Sequence, residues 1–248
     1  MSDVKRPDIL SYGGGVQSVA VCVLVATGWL PRPERIVYAD TGREASSTMA
    51  YADAHVRPLL AKVGLEIETA PHSLSTVDLY GHNGDLLIPA FTDTGKLPTM
   101  CSNEWKQRPI MRYLRSRGYG PARPVRLWLG ISVDELERAK PSNTQWVDRW
   151  FPLLFGVQFR RSDCLRTVAD AGLPEPPRSS CWMCPHRSNA EWRALDANDL
   201  VRATELEGHI REKDAGLWLH RSKKPIAQAM SEAEDTTMDG CDSGFCLT

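Results

Sequence analysis

Charge of one sign, long apolar runs and the usual phosphate-loop signature are all missing from this sequence. Thirty Lys and Arg stand against thirty-one Asp and Glu. The composition therefore makes no electrostatic case for duplex DNA or an anionic membrane as a direct partner. The longest apolar run, Val19 to Ala26, is too short to span a bilayer. The N-terminal MSDVKRPD carries no secretory apolar core, so no membrane is expected and the chain reads as cytoplasmic. There is no GxxxxGK followed by Ser or Thr, which sets aside a Walker A loop. No internal repeat is visible, and residues 70–100 hold no sustained period, as a long functional loop would.

What is present is an ordinary globular profile: 248 residues, 42% hydrophobic and 25% charged. That length holds one substantial α/β domain or two small ones. Short strands are expected at Asp8–Ser11, Ile36–Ala39, Glu66–Thr69 and Val125–Ser132. Helices are expected over Ser18–Gly28, 46–63, Pro109–Arg117 and Arg160–Ala171. Another opens on the capping-box spacing of Ser188 and Glu191. Strand and helix in alternation predict an α/β, doubly wound, mainly parallel sheet with helices on both faces and ligands outside the carboxyl ends of the strands. One nucleotide-binding domain is expected over residues 1–230. Residues 231–248 turn acidic and poor in apolar side chains, and are expected to form a mobile tail.

Ser11-Tyr-Gly13-Gly14-Gly15-Val-Gln17-Ser18 stands between a short apolar run and a long one. Three glycines can place successive N–H groups in a concave nest, the following helix adds its positive end, and the two serines can donate hydroxyls to the same oxygens. A tight strand-to-helix turn would need the glycines for steric reasons alone. Seven cysteines also need a reason. Cys22 lies inside the apolar run as a small core residue. Cys181-Trp-Met-Cys184 has the spacing with which two sulfurs grip one metal or cluster edge. With Cys101 and Cys164 it could complete four thiolates, enough for a [4Fe-4S] cluster or a zinc site. A redox dithiol, or plain buried thiols, are the alternatives, and His186 could stand in for one thiolate. In the tail, Cys241 and Cys246 could act as an attacking and resolving pair or be incidental.

The glycine segment resembles the PP-loop, SGGxDS, of ATP pyrophosphatases and phosphoadenosine phosphosulfate (PAPS) reductases. Further segments follow in order. Tyr38-Ala-Asp40-Thr41-Gly42 resembles the reductases' DTG segment, and Cys101 to Pro109 their CxxxxKxxP. Leu129 to Arg138 resembles their G-x-R…R stretch. Trp150 to Leu154, Arg161 to Asp163 and Gly172 to Pro174 resemble their hPL…D…GLP region. The nearest look is of the phage-type and DNA-phosphorothioation-type PAPS reductase-like proteins, in an adenine nucleotide α-hydrolase-like fold. Gln17 departs from the usual Asp and leans toward the reductases, while the triple glycine with Ser18 leans toward the pyrophosphatases.

The resemblance implies ATP-dependent sulfur transfer: Mg²⁺ and ATP on Ser11, Gly13, Gly14, Gly15, Gln17, Ser18, Asp40, Thr41 and Gly42, with Lys106 and Arg138 on the phosphates. The acceptor would be adenylylated with loss of pyrophosphate, and a cluster on Cys101, Cys164, Cys181 and Cys184 would hold sulfur. Arg43, Arg108, Lys140 and Arg221 to Lys224 are further cations for the polyphosphate, and Asp134 and Glu135 further Mg²⁺ ligands. Two alternatives stand beside it. In a PAPS- or APS-type reductase, Cys241 or Cys246 would attack sulfur and a thioredoxin-like reductant would release sulfite. In an inactive nucleotide-binding subunit, Gln17 would mark lost catalysis. Expected partners are an adenine nucleotide, a sulfur donor or that reductant, a nucleic-acid acceptor only through a partner subunit, and a second copy in a homodimer.

Overall fold

The computed structural model describes residues 6–71 and 79–232. Five strands form one sheet: β1 (Asp8–Tyr12), β2 (Arg35–Ala39), β3 (Ile67–Ala70), β6 (Val125–Leu129) and β7 (Val147–Trp150). Their order is β3-β2-β1-β6-β7, and every neighbouring pair is parallel. The chain runs outward from β1 to β3, then returns to lay β6 on the other side of β1. That reversal makes a crevice between the carboxyl ends of β1 and β6, where an open α/β sheet takes its ligand. A two-stranded hairpin, β4 (Phe91–Thr92) and β5 (Gly95–Lys96), lies apart from the sheet.

Strand periodicity sorts the core into two layers. Leu10, Tyr12, Ile36, Tyr38 and Trp128 face one side. There they meet α1 (Val16–Ala26), the rod of α2 (Ser46–Tyr51) and α3 (Arg57–Ala61), and α5 (Arg161–Asp170). Ile9, Val37, Ala39, Leu127 and Leu129 face the other side and pack on Ile110, Tyr113 and Leu114 of α4 (Arg108–Ser116). Helices on both faces and an all-parallel sheet are the architecture the alternation of elements predicts. α1 is helical despite its valines because it is buried almost all round, and packing overrides propensity there. β7 was not expected: Val147-Asp-Arg-Trp150 is too short and too polar to stand out, and pairing with β6 alone defines it. The 46–63 helix proves to be one rod with a π-helical turn at Ala52–Val56.

A third cluster sits beside the sheet. Trp182, Met183, Trp192, Ala203, Ile210, Leu219 and Ile226 pack with Leu79, Leu86–Ile88 and Trp105. It joins α6 (Asn189–Arg193), α7 (Ala197–Lys213) and α8 (Ile226–Glu232) to the irregular 79–100 segment, with Phe91 and Trp218 bridged through both backbone groups. Among the described residues no helix is long and apolar enough to cross a membrane.

Asp8 locks the two central strands at their amino ends. Its carboxylate accepts from Arg126 Nε and Nη2 at 2.6 and 3.0 Å and from the Trp128 indole at 2.7 Å, and the residue is only 8% exposed. Asp8→Ala leaves the buried indole N–H without its partner and is expected to cost about 2–3 kcal/mol. The midpoint of urea unfolding, at unchanged m value, measures it. An unchanged midpoint would show that water satisfies Trp128 in its place.

Candidate active site

The crevice between β1 and β6 is a cleft of about 190 Å³. Its floor is the glycine loop: Ser11, Gly13, Gly15, Gln17 and Ser18 line it, with Gly130 from the end of β6. Gly14 takes φ +76°, and a Cβ there would sit 2.5 Å from Thr48 Cγ2. Conformation and close packing therefore both demand glycine at position 14. Gly15 is the extended residue that opens α1, whose first turn carries no acidic side chain to compete with an anion. Ser18 Oγ donates back to the Gly15 carbonyl at 2.9 Å. Gly130 was not singled out from the sequence. A Cβ on it would approach Ser18 N to 3.1 Å and Gln17 C to 3.2 Å, so glycine is what lets β6 close against the start of α1. That turn also ends β6 at Leu129, three residues before the expected strand end.

The cleft walls are cationic and partnered. Lys106 comes from a π-helical turn (Asn103–Gln107) ahead of α4 and pairs with Glu44 at 3.0 Å. Arg138 pairs with Glu135 at 2.6 Å, and Gln17 Nε2 donates to the other oxygen of Glu135 at 3.2 Å. Arg161 lines the same space, and Arg178 does so while paired to Glu191. Burial opposes ionisation of Glu191, but Arg178 and the Ser188 N–H outweigh it and hold the carboxyl below its ordinary range. Ser179 donates to the Gly13 carbonyl, roofing the loop. Arg161, Arg178, Ser179 and Glu191 were missed as site residues, because only the tertiary fold brings 161 and 177–180 over residues 13–18. Their sequence signal was adjacency: Arg178-Ser-Ser180 runs directly into the CxxC.

Asp40, Thr41 and Gly42 lie at the carboxyl end of β2 but do not line the cleft. Asp40 Oδ1 accepts the Gly42 N–H at 2.8 Å and Thr41 Oγ1 accepts the Arg43 N–H at 3.1 Å, a self-closing turn. Arg43 stacks over Trp105, its guanidinium carbon 4.8 Å from the ring centre. Of the other expected cations, Arg108 pairs with Glu104, Lys223 with Asp93 and Lys224 with Glu232, all outside the cleft. Lys140 also lies outside it. Asp134 accepts the Arg161 N–H at 2.6 Å, holding the start of α5.

The residues after Gly42 carry the second part of the site. Ala45 N donates to Ser180 O at 3.2 Å and Trp182 N to Arg43 O at 3.0 Å, an antiparallel bridge that fixes Cys181 beside Glu44. Cys181, Cys184 and Cys101 open together on a small apolar cavity of about 20 Å³, with Lys106 also on its wall. None of the five described cysteines is in a disulfide. Arg187, 5% exposed, holds the knuckle from inside: Nε and Nη2 donate to the Cys181 carbonyl at 3.2 and 3.1 Å, and Nη2 to Ser180 O at 3.2 Å. Burial pulls its guanidinium down from its ordinary value, against the opposing pull of Cys184, Glu191 and Cys181. His186 is 7% exposed, its Nε2 3.0 Å from Lys96 Nζ and its Nδ1 buried without a hydrogen-bond partner.

The expected fourth thiolate is corrected. Cys164 is fully buried on α5, in the core layer with α1 and away from the other three. Burial pushes its thiol up to about 12, so it stays protonated. Cys22 is likewise a buried core thiol, pushed up by burial. Among the described residues no three or more His, Cys, Asp or Glu side chains are arranged to hold a metal ion. The three-cysteine set fits a thiolate-bound metal or cluster in donor type, soft sulfur opening on an apolar space, and falls one short of four thiolates. Cys241 and Cys246 lie outside the described residues.

No protein-family model matches this sequence, and no curated protein sequence matches it. Solved structures do. One is phosphoadenylyl-sulfate (PAPS) reductase from Candida auris in its phosphate complex: TM-score 0.47 and 12% identity over 72% of this chain and 83% of that one. Another is the U34-tRNA thiolase NcsA from Methanococcus maripaludis with its [4Fe-4S] cluster: TM-score 0.42 and 13% identity over 93% of this chain and 73% of that one.

Two outcomes test this geometry. Arg187→Met removes three hydrogen bonds and leaves the Ser180 and Cys181 carbonyls one backbone donor each, from Ala45 and Cys184. It is expected to lower stability by about 1–2 kcal/mol, read as a drop in thermal midpoint. Iodoacetamide at pH 8, followed peptide by peptide, is expected to label Cys101 and Cys181 well before Cys164. Equal rates would contradict the burial of Cys164.

Proposed function

We propose that this chain is an adenine-nucleotide-dependent sulfur-transfer enzyme. The observation that carries the reading is that Lys106 stands on the wall of both the glycine-loop cleft and the three-cysteine cavity. One cleft offers N–H groups and cations suited to a polyphosphate, and the other offers thiols suited to sulfur. A single ammonium at their boundary serves a reaction in which phosphate leaves and sulfur arrives. The ordered resemblance of the glycine, Cys101–Pro109 and Leu129–Arg138 segments to PP-loop proteins supports the same reading.

In this reading the N–H groups at the start of α1 receive the nucleotide phosphates, and Lys106, Arg138 and Arg161 neutralise charge as it develops. An oxygen of the acceptor attacks the α-phosphorus, the bond to the β-phosphate oxygen breaks, and pyrophosphate leaves with Mg²⁺. Sulfide-level sulfur from a sulfur donor then attacks the activated carbon: the C–S bond forms, the C–O bond to the adenylate breaks, and AMP leaves with that electron pair. Cys101, Cys181 and Cys184 offer soft sulfur donors on one cavity; they would have to draw together and gain a fourth ligand to hold a cluster or metal, which would supply a place for that sulfur. Arg187 keeps the knuckle in shape, and the apolar walls of Ile88, Trp105 and Met183 keep water from it.

The test is product release from protein purified without oxygen and given either Mg²⁺ with ATP or PAPS with thioredoxin. Pyrophosphate from ATP is expected, reduced at least tenfold by Lys106→Ala. Sulfite from PAPS with no pyrophosphate from ATP would overturn the reading in favour of a reductase. Nucleotide binding without either product would leave a binding subunit.

A further inference from the structure

We infer that Glu135 is a positioning residue for Arg138, held in its role by Gln17, and not a ligand of Mg²⁺. The inference rests on the phosphate-binding cleft proposed above. Glu135 sits at a kink, φ −120° and ψ 28°, in the short turn Val133–Arg138, and is 8% exposed. Both its oxygens are engaged. Oε1 accepts from Arg138 Nη1 at 2.6 Å, and Oε2 accepts from Gln17 Nε2 at 3.2 Å. A Mg²⁺ ligand oxygen must bring the ion to about 2.1 Å in octahedral geometry. Here the nearest charge is a guanidinium, which repels a cation from the same carboxylate.

The identity of residue 17 follows from this arrangement. Gln17 lies in the first turn of α1, opposite Glu135. A neutral amide donates to Glu135 and leaves its charge for Arg138. An Asp at 17, the usual PP-loop residue, would face a second carboxylate, offer no donor, and compete for the same guanidinium. Gln17 is thus matched to Glu135, and the pair fixes where Arg138 presents its charge to a phosphate. The cleft binds phosphate through a prearranged guanidinium at this wall, with the metal elsewhere.

Calorimetry with inorganic pyrophosphate as the probe, with and without Mg²⁺, tests this. Glu135→Gln keeps the shape and removes the charge. It is expected to weaken binding roughly tenfold by the same factor in both conditions. Arg138→Ala is expected to weaken it at least as much, and Glu135→Gln with Arg138→Ala no further than Arg138→Ala alone. Gln17→Asp, with an unchanged thermal midpoint confirming that it folds, is expected to weaken binding despite restoring the usual motif residue. A Glu135→Gln loss confined to Mg²⁺, losses that multiply in the double variant, or unchanged binding by Gln17→Asp would each overturn the inference while leaving the nucleotide cleft standing. No pyrophosphate binding by the unmodified protein, in either condition, would overturn the cleft reading and this inference with it.

Discussion

The short antiparallel bridge between residues 43–45 and 180–182 is the contact on which the site depends. Two backbone hydrogen bonds, from Ala45 to Ser180 and from Trp182 to Arg43, tie the cysteine segment to the chain just beyond β2. The roof of the cleft and its junction with the cysteine cavity follow from that pairing. It places Ser179 over the glycine loop, Cys181 beside Glu44, and through Glu44 it determines where Lys106 stands. Backbone pairing specifies position without depending on side-chain chemistry, so the glycine-loop cleft and the cysteine cavity are aligned by the main chain itself.

Strengths around the site differ in kind. The Lys106–Glu44 pair is nearly buried, so its value lies in placement: removing one partner leaves the other charge stranded. The exposed pairs Arg57–Asp53 and Lys223–Asp93 contribute little. Arg187 belongs with the first kind. Its guanidinium satisfies carbonyls within its own knuckle, and its burial is offset by those three contacts together with Cys181 and Cys184 nearby.

Local signals carried much of this fold into the sequence. The glycine loop followed by a buried helix, the short strands β1 and β2, and the Ser188–Glu191 capping box all read correctly because each shows in a few consecutive residues. Cys164 shows where motif logic loses to packing. Its segment resembles a functional one, yet Cys164 and Val168 are one helical turn apart and form the stripe that meets α1. That four-residue spacing is a core signal which the motif reading passed over. Asp40 likewise had a strand-end turn to close. By contrast, adjacency to the CxxC is the one local hint at Arg178 and Ser179, and Gly130 has none, since each gains its role from a segment more than a hundred positions away.

The strand order sets a sequence of events on the ribosome. β1 pairs with β2 soon after both emerge, but its other neighbour is β6, and the Asp8–Arg126 clamp joins residues 118 apart. At synthesis rates of about 5–20 residues per second, the glycine loop spends several seconds outside with one wall missing. Gly130 then closes the side toward β6, and only later does Ser179 arrive to roof the loop. Cys101 therefore emerges long before Cys181 and Cys184, and a nascent chain passes through a stage with one of these thiols and none of its companions. Assembly of the cysteine cavity therefore waits for the last quarter of the chain, whose helices complete the cluster behind it, and is timed by topology.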